Sequence, residues 1–89
     1  MKIEISRRFV KDTERITDKR ILEKIQQVLL EATTTGSIID LNNLESMTGF
    51  PNFYRIKFDY RYRIGIYCEH DTIQFLRVGA REDFYKKFP

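Results

Sequence analysis

Lys2-Ile3-Glu4-Ile5-Ser6 alternates polar and apolar side chains, the period-two pattern of a short strand. Ser6 is placed to cap a helix opening at Arg7-Arg8-Phe9, because its hydroxyl can accept a backbone N–H that has no partner inside the helix. Phe9, Val10 and Ile16 are its predicted buried side, and it breaks at Thr17-Asp18, either of which can cap the next helix. There the apolar residues Ile21, Leu22, Ile25, Val28, Leu29 and Ala32 form one broad face at the 3.6-residue period. Thr33-Thr34-Thr35-Gly36 ends that helix, so the two helices form a hairpin.

From Ser37 to Asn52 the chain reads as irregular, pinned by Ile38, Ile39, Leu41, Leu44 and Met47 through at most a single helical turn, and closing on the turn cluster Gly49-Phe50-Pro51-Asn52. Three strands follow, over 53–58, 62–68 and 72–78. Their connections are too short for crossovers, which predicts an antiparallel meander. The architecture expected is α+β: an N-terminal strand and a two-helix hairpin packed on a small antiparallel sheet, with a short C-terminal helix. Residues 1–89 read as a single domain.

Alternation also sorts the strands by face. Tyr54, Ile56 and Phe58 oppose Phe53, Arg55 and Lys57; Tyr62, Ile64, Ile66 and Cys68 oppose Arg63, Gly65 and Tyr67. Matching the apolar faces sets Phe58 against Tyr62 across a three-residue loop, Asp59-Tyr60-Arg61. A two-residue turn would slip the register and bury Arg63 among isoleucines. The same register sets Lys57 across from Arg63 and Arg55 across from Gly65. In the last strand a His70-Asp71 turn would put Ile73, Phe75 and Arg77 on the apolar face. Arg77 does not belong there, so either the strand end is open or the register changes. Cys68 reads as a small buried apolar residue and His70 as a turn residue.

Charge changes this picture. The net +3 comes entirely from residues 51–89, with eight Lys/Arg against five acids, whereas residues 1–50 hold eight of each. Like charges facing each other on a sheet are destabilising by roughly 0.2–1 kcal/mol per pair. Across residues 53–68 the only acid is Asp59, in the turn between these two strands. Cations at Arg55, Lys57 and Arg63, a floor without a side chain at Gly65, and the flat rings of Phe53 and Tyr67 together suit single-stranded nucleic acid. In the final segment Arg81 and Tyr85 stand four apart on one side of a short helix, with Phe84 and Phe88 as its anchors.

Composition narrows the chemistry. One cysteine and one histidine exclude an internal disulfide framework and a Cys/His zinc site within the chain. An enzyme built from these residues is expected to need no cofactor, metal or histidine relay. The chain has no apolar run long enough to span a membrane and no signal-peptide pattern at Met1–Arg8, so a cytoplasmic protein is expected.

The chain resembles, along nearly its whole length, the RelE/ParE superfamily of bacterial type II toxins. The likeness lies in the strand and helix hairpin, Leu44-x-x-Met47-x-Gly49, Tyr54-Arg55-Ile56-Lys57, Tyr62-Arg63-Ile64-Gly65-Ile66, and the ending Val78-Gly79-Ala80-Arg81-Glu82-Asp83-Phe84-Tyr85-Lys86-Lys87-Phe88-Pro89. RelE-like members are metal-independent, ribosome-dependent mRNA endonucleases; ParE-like members poison DNA gyrase. The resemblance implies a cognate antitoxin partner, mRNA in the ribosomal A site as substrate, and toxin–antitoxin complexes that assemble on operator DNA. A gyrase inhibitor without nuclease chemistry is the alternative, and a nucleic-acid-binding module a third reading.

The resemblance also implies a catalytic set of Lys57, Arg63, Arg81 and Tyr85, with Arg55, Phe53, Tyr67 and Arg61 binding substrate. Arg55 stands where RelE itself has lysine, and Ala80 where many relatives have histidine. Cleavage by the 2′-hydroxyl needs a base, bracing of the phosphorane, and a proton for the leaving 5′-oxygen. Arg63 and Arg81 suit the bracing, and Arg81 also the leaving oxygen. Lys57, flanked by Arg55 and Arg63, suits the base because like charges disfavour its protonated form. Arg55 suits phosphate binding, and Tyr85 suits stacking on or orienting a base.

Overall fold

The computed structural model describes residues 1–89. Strand β1 (Lys2–Ile5) leads into α1 (Arg7–Glu14), where the Ser6 hydroxyl accepts the Phe9 N–H at 3.0 Å. Asp18 caps α2 (Lys19–Thr34) by accepting the Arg20 N–H at 2.9 Å. The helical face of α2 is the expected one, with Ile21, Ile25 and Ala32 buried and Leu22, Val28 and Leu29 packed beside them. The prediction for α1 was only partly right. Val10 is 44% exposed, and the second buried residue of that helix is Asp12.

Residues Ile38–Asp40 form the single helical turn expected in the irregular segment, but Leu44–Ser46 then forms a strand, β2. It is followed by β3 (Phe53–Ile56), β4 (Tyr62–Glu69), β5 (Thr72–Ala80) and α3 (Arg81–Lys87). The sheet order is β1-β5-β4-β3-β2. The sheet is mixed where an antiparallel one was expected, because β1 adds to the β5 edge in parallel, Ile3 beside Ile73. The whole helical half of the chain separates those strands, so no tight turn constrains their direction.

The β3–β4 register is the one that the apolar faces require: Phe53 opposes Tyr67, Arg55 opposes Gly65 and Ile56 opposes Ile64. The paired ladder stops there, and the Lys57 N–H turns to the Asn43 carbonyl instead. Between β4 and β5 the register shifts. Ile66 opposes Phe75 but Gly65 opposes Arg77, which leaves Leu76 as the extra residue of a bulge. Val78 thereby replaces Arg77 on the core face, in line with Ile73 and Phe75.

The sheet divides two apolar layers. Phe9, Ile21 and Ile25 pack with Ile56, Ile64, Ile66, Ile73, Phe75 and Val78 on the helix-hairpin side, where Cys68 is also buried. On the other side α3 lies over β4 and β5, burying Phe84 and Phe88. The Phe88 ring sits on Gly65: a Cβ there would fall 2.6 Å from ring carbons. No helix is long and apolar enough to cross a membrane.

Candidate nucleic-acid site

The face carrying Arg55, Lys57, Arg63 and Gly65 has two parts, one on each side of the β3–β4 loop. The first centres on an acid that the sequence pattern did not place there. Glu45 on β2 lies directly opposite Arg55 on β3, and its Oε1 accepts the Arg55 Nε–H at 2.8 Å and pairs with Lys57 Nζ at 3.2 Å. Hydrogen bonds from Arg55 and then Lys57 hold the Glu45 carboxyl below its ordinary value. That carboxylate offsets the like-charge repulsion expected between the neighbouring cations. The Arg55 guanidinium also lies 5.4 Å from the centre of the Tyr85 ring, a cation–π contact that ties α3 to β3. Tyr85 itself is 43% exposed, and its ring also stands edge-on to Phe84 with centres 5.3 Å apart.

The second part surrounds the loop 59–61. Arg63 is only 7% exposed, and its Nη1 donates to the carbonyls of Asp59, Tyr60 and Tyr62 at 3.0, 3.4 and 2.9 Å. Its Nε is buried without a partner. Three carbonyls on one amine make Arg63 a clamp on the loop and fix the direction in which the rest of the guanidinium points. Arg61 is exposed; its N–H donates to Asp59 Oδ2 at 3.0 Å and its carbonyl accepts the Arg81 N–H at 2.7 Å. The loop therefore seats the first residue of α3. Arg81 and Tyr85 both emerge exposed from that helix, as their spacing predicted. Asp59 is held in the ionised form by Lys24, whose Nζ lies 2.7 Å away, so it leaves the loop cations unpaired.

Gly65 provides no open floor. Phe88 fills the space above it, and Phe53 stands edge-on to Tyr67, Phe88 and Phe50 with ring centres 4.9, 5.8 and 6.5 Å apart. Phe53 and Tyr67 thus belong to an aromatic seat for the end of α3, both half-buried. The Tyr67 hydroxyl donates to Glu69, which raises its value above that of an ordinary tyrosine. Of the predicted residues, the structure gathers Arg55, Lys57 and Tyr85 around Glu45, and Arg61, Arg63 and Arg81 around the loop.

Glu45 had a signal. Leu44 and Ile56 are both apolar on either side of the Gly49–Asn52 turn, and pairing them puts Glu45 on Arg55. A three-residue strand is too short for alternation to reveal it.

No family model matches the chain. Toxin RelE3 of Methanocaldococcus jannaschii is 36% identical over 90 residues, spanning all of both chains. The chain belongs to the RelE family of type II toxins. The fold agrees: the RelE chain in the crystal structure of the RelB–RelE antitoxin–toxin complex from Methanococcus jannaschii is 32% identical, with a TM-score of 0.82 over 97% of this chain and 99% of that one. The RelE fold of the intact E. coli RelBE toxin–antitoxin complex matches at a TM-score of 0.69 and 20% identity, over 89% of this chain and 94% of that one. The resemblance visible in the Tyr-Arg-Ile repeats and the C-terminal segment is therefore one of family membership.

Proposed function

We propose that this RelE-family toxin is a ribosome-dependent mRNA endonuclease that cleaves without metal through attack of the 2′-hydroxyl, and that a cognate antitoxin restrains it. The observation that carries this reading is Glu45 held jointly by Arg55 and Lys57 beneath Tyr85: two cations converge on one anion beside an exposed ring. A phosphodiester entering from solvent competes with Glu45 for Arg55, and its base meets the exposed part of the Tyr85 ring.

Lys57 can accept the 2′-hydroxyl proton when it is neutral, its own proton having gone to solvent, and an entering phosphodiester that draws Arg55 away from Glu45 opens the group to substrate. The 2′-oxygen then bonds to phosphorus, Arg63 and Arg81 brace the phosphorane, and the P–O5′ bond breaks as the 5′-oxygen takes a proton from water beside Arg81. The products are a 2′,3′-cyclic phosphate and a 5′-hydroxyl end. An antitoxin segment carrying acids would cover the same cations.

The test is in vitro translation with primer extension. Wild-type protein should create new mRNA ends, and Lys57→Ala or Arg81→Ala should slow their appearance by about a hundredfold, the lower end of what a positioned acid or base contributes. Intact mRNA together with inhibited DNA supercoiling would instead identify a gyrase inhibitor and overturn the nuclease reading.

Glu45→Gln separates binding from proton transfer. Without its carboxylate Arg55 and Lys57 are free for phosphate, so ribosome-bound mRNA should bind several-fold more tightly. Cleavage at saturation should not fall, because the carboxylate pairs with Lys57 and takes no part in the reaction itself. Unchanged binding, or single-turnover cleavage lost together with tighter binding, would mean that Glu45 does more than occupy the two cations.

A further inference from the structure

The even charge count of residues 1–50 conceals a local excess. On α1, Arg8, Lys11 and Arg15 recur at i, i+3 and i+7, which puts them on one face over about 10.5 Å of helix axis. With Arg77 and Asp12 they line a shallow trough of about 250 Å³ to which no hydrophobic residue contributes. None of the three cations has an ion-pair partner, although Glu14 is close by in sequence; the one carboxylate in the trough is committed to Arg77, Lys87 and the Val78 N–H. Asp83 faces only the adjoining hollow, together with Arg15 and Lys87. The trough therefore keeps a strong positive excess with nothing inside the protein to use it.

We propose that this face of α1 is a second, sequence-independent contact for the phosphate backbone of structured RNA. It is distinct from the cleavage site, since the residues that line the trough include none of Glu45, Arg55, Lys57 and Tyr85. The cations span a length that fits two successive phosphates of a strand. The chemistry also discriminates between RNA forms. The cleavage face offers exposed rings at Tyr60 and Tyr85, as single strands need for stacking. The trough offers no ring at all, which suits a duplex whose bases are already stacked and whose backbone alone is presented. The choice of RNA rests on the nuclease reading: an enzyme that cuts mRNA on the ribosome is surrounded by folded ribosomal RNA.

The test compares wild type with the triple variant Arg8→Gln, Lys11→Gln, Arg15→Gln. Binding to a mixed-sequence RNA duplex of about 20 base pairs and to small ribosomal subunits without mRNA is measured from 50 to 300 mM KCl. Each phosphate contact contributes close to one unit to the slope of log affinity against log salt. The triple variant should lose two to three units of slope and at least tenfold in affinity near 100 mM salt, with an unchanged melting temperature. Lys57→Ala with Arg81→Ala should still bind the duplex. A wild-type slope in the triple variant would sink the proposal, as would a triple variant that keeps RNA binding but loses an acidic antitoxin. A DNA duplex of the same sequence that binds more tightly than the RNA, with the same loss in the triple variant, would assign the trough to DNA and overturn the choice of RNA. Wild-type cleavage with an unaffected triple variant rejects the trough alone; RNA binding through the trough without any cleavage rejects the nuclease alone.

Discussion

Asp12→Ala is expected to destabilise the protein by about 3–5 kcal/mol, the usual consequence of removing one member of a buried ionic group and stranding the others. Asp12 lies where α1, the uncovered edge of β5 and the end of α3 meet. Its Oδ2 accepts the Arg77 Nε–H at 2.9 Å and the Val78 N–H at 3.0 Å; its Oδ1 accepts from Arg77 Nη2 at 3.1 Å and Lys87 Nζ at 3.2 Å. Alanine leaves two cations facing each other over an unpaired backbone N–H. Urea denaturation read by circular dichroism would measure the loss, with Glu14→Ala on the exposed side of the same helix as the control. A cost below about 1 kcal/mol would mean that water replaces the carboxylate without strain.

The same residue makes a prediction about acid. Burial pushes the Asp12 carboxyl up, but the hydrogen bonds from Arg77, Val78 and Lys87, with the Lys87 charge, hold it on balance below the ordinary value of 3.8. A carboxyl lowered by folding contributes stability that is complete above its unfolded value and disappears as pH falls through its folded one. Wild-type stability should therefore decline below about pH 5 more steeply than that of Asp12→Asn. Glu45 and Asp59 are shifted in the same direction, so the asparagine variant should keep part of the acid sensitivity.

Arg77 and Asp12 also explain why the fold was only partly legible in the sequence. The register of β3 on β4 followed from local matching of Phe58 with Tyr62 across a loop of three residues, and it holds through Phe53 and Tyr67. Alternation carries that information because one face of the sheet must be apolar. Arg77 showed as a misfit, yet a bulge adds one residue without changing any side chain, so its place at Leu76 could not be read. Asp12 gives no signal in the sequence because its partners are 65 and 75 residues away. The cations of the candidate site were legible through alternation and i, i+4 spacing. Their setting was not: Glu45 lies on a strand of three residues, and a glycine announces missing volume without saying what fills it.

Gly65→Ala tests what fills that volume, and with it how α3 is held over the sheet. The added methyl would sit 2.6–2.7 Å from three carbons of the Phe88 ring, and that ring is nearly fully buried against Phe84 and Phe53. Strand pairing on both sides of Gly65 prevents the backbone from yielding. Phe88 must then leave its seat, at a cost of about 3 kcal/mol, the lower end for losing a buried phenylalanine. Tyr85 should move with the helix and break its contact with Arg55, so cleavage should fall together with stability. Phe88→Ala supplies the decisive background: with the ring already gone, Gly65→Ala should cost less than about 1 kcal/mol, and the double-mutant cycle should show a coupling of about 2 kcal/mol. Additive losses would mean that the strain lies in the β4 backbone. In that case the glycine would not be what positions α3, and the link from Gly65 through Phe88 to Tyr85 would be broken.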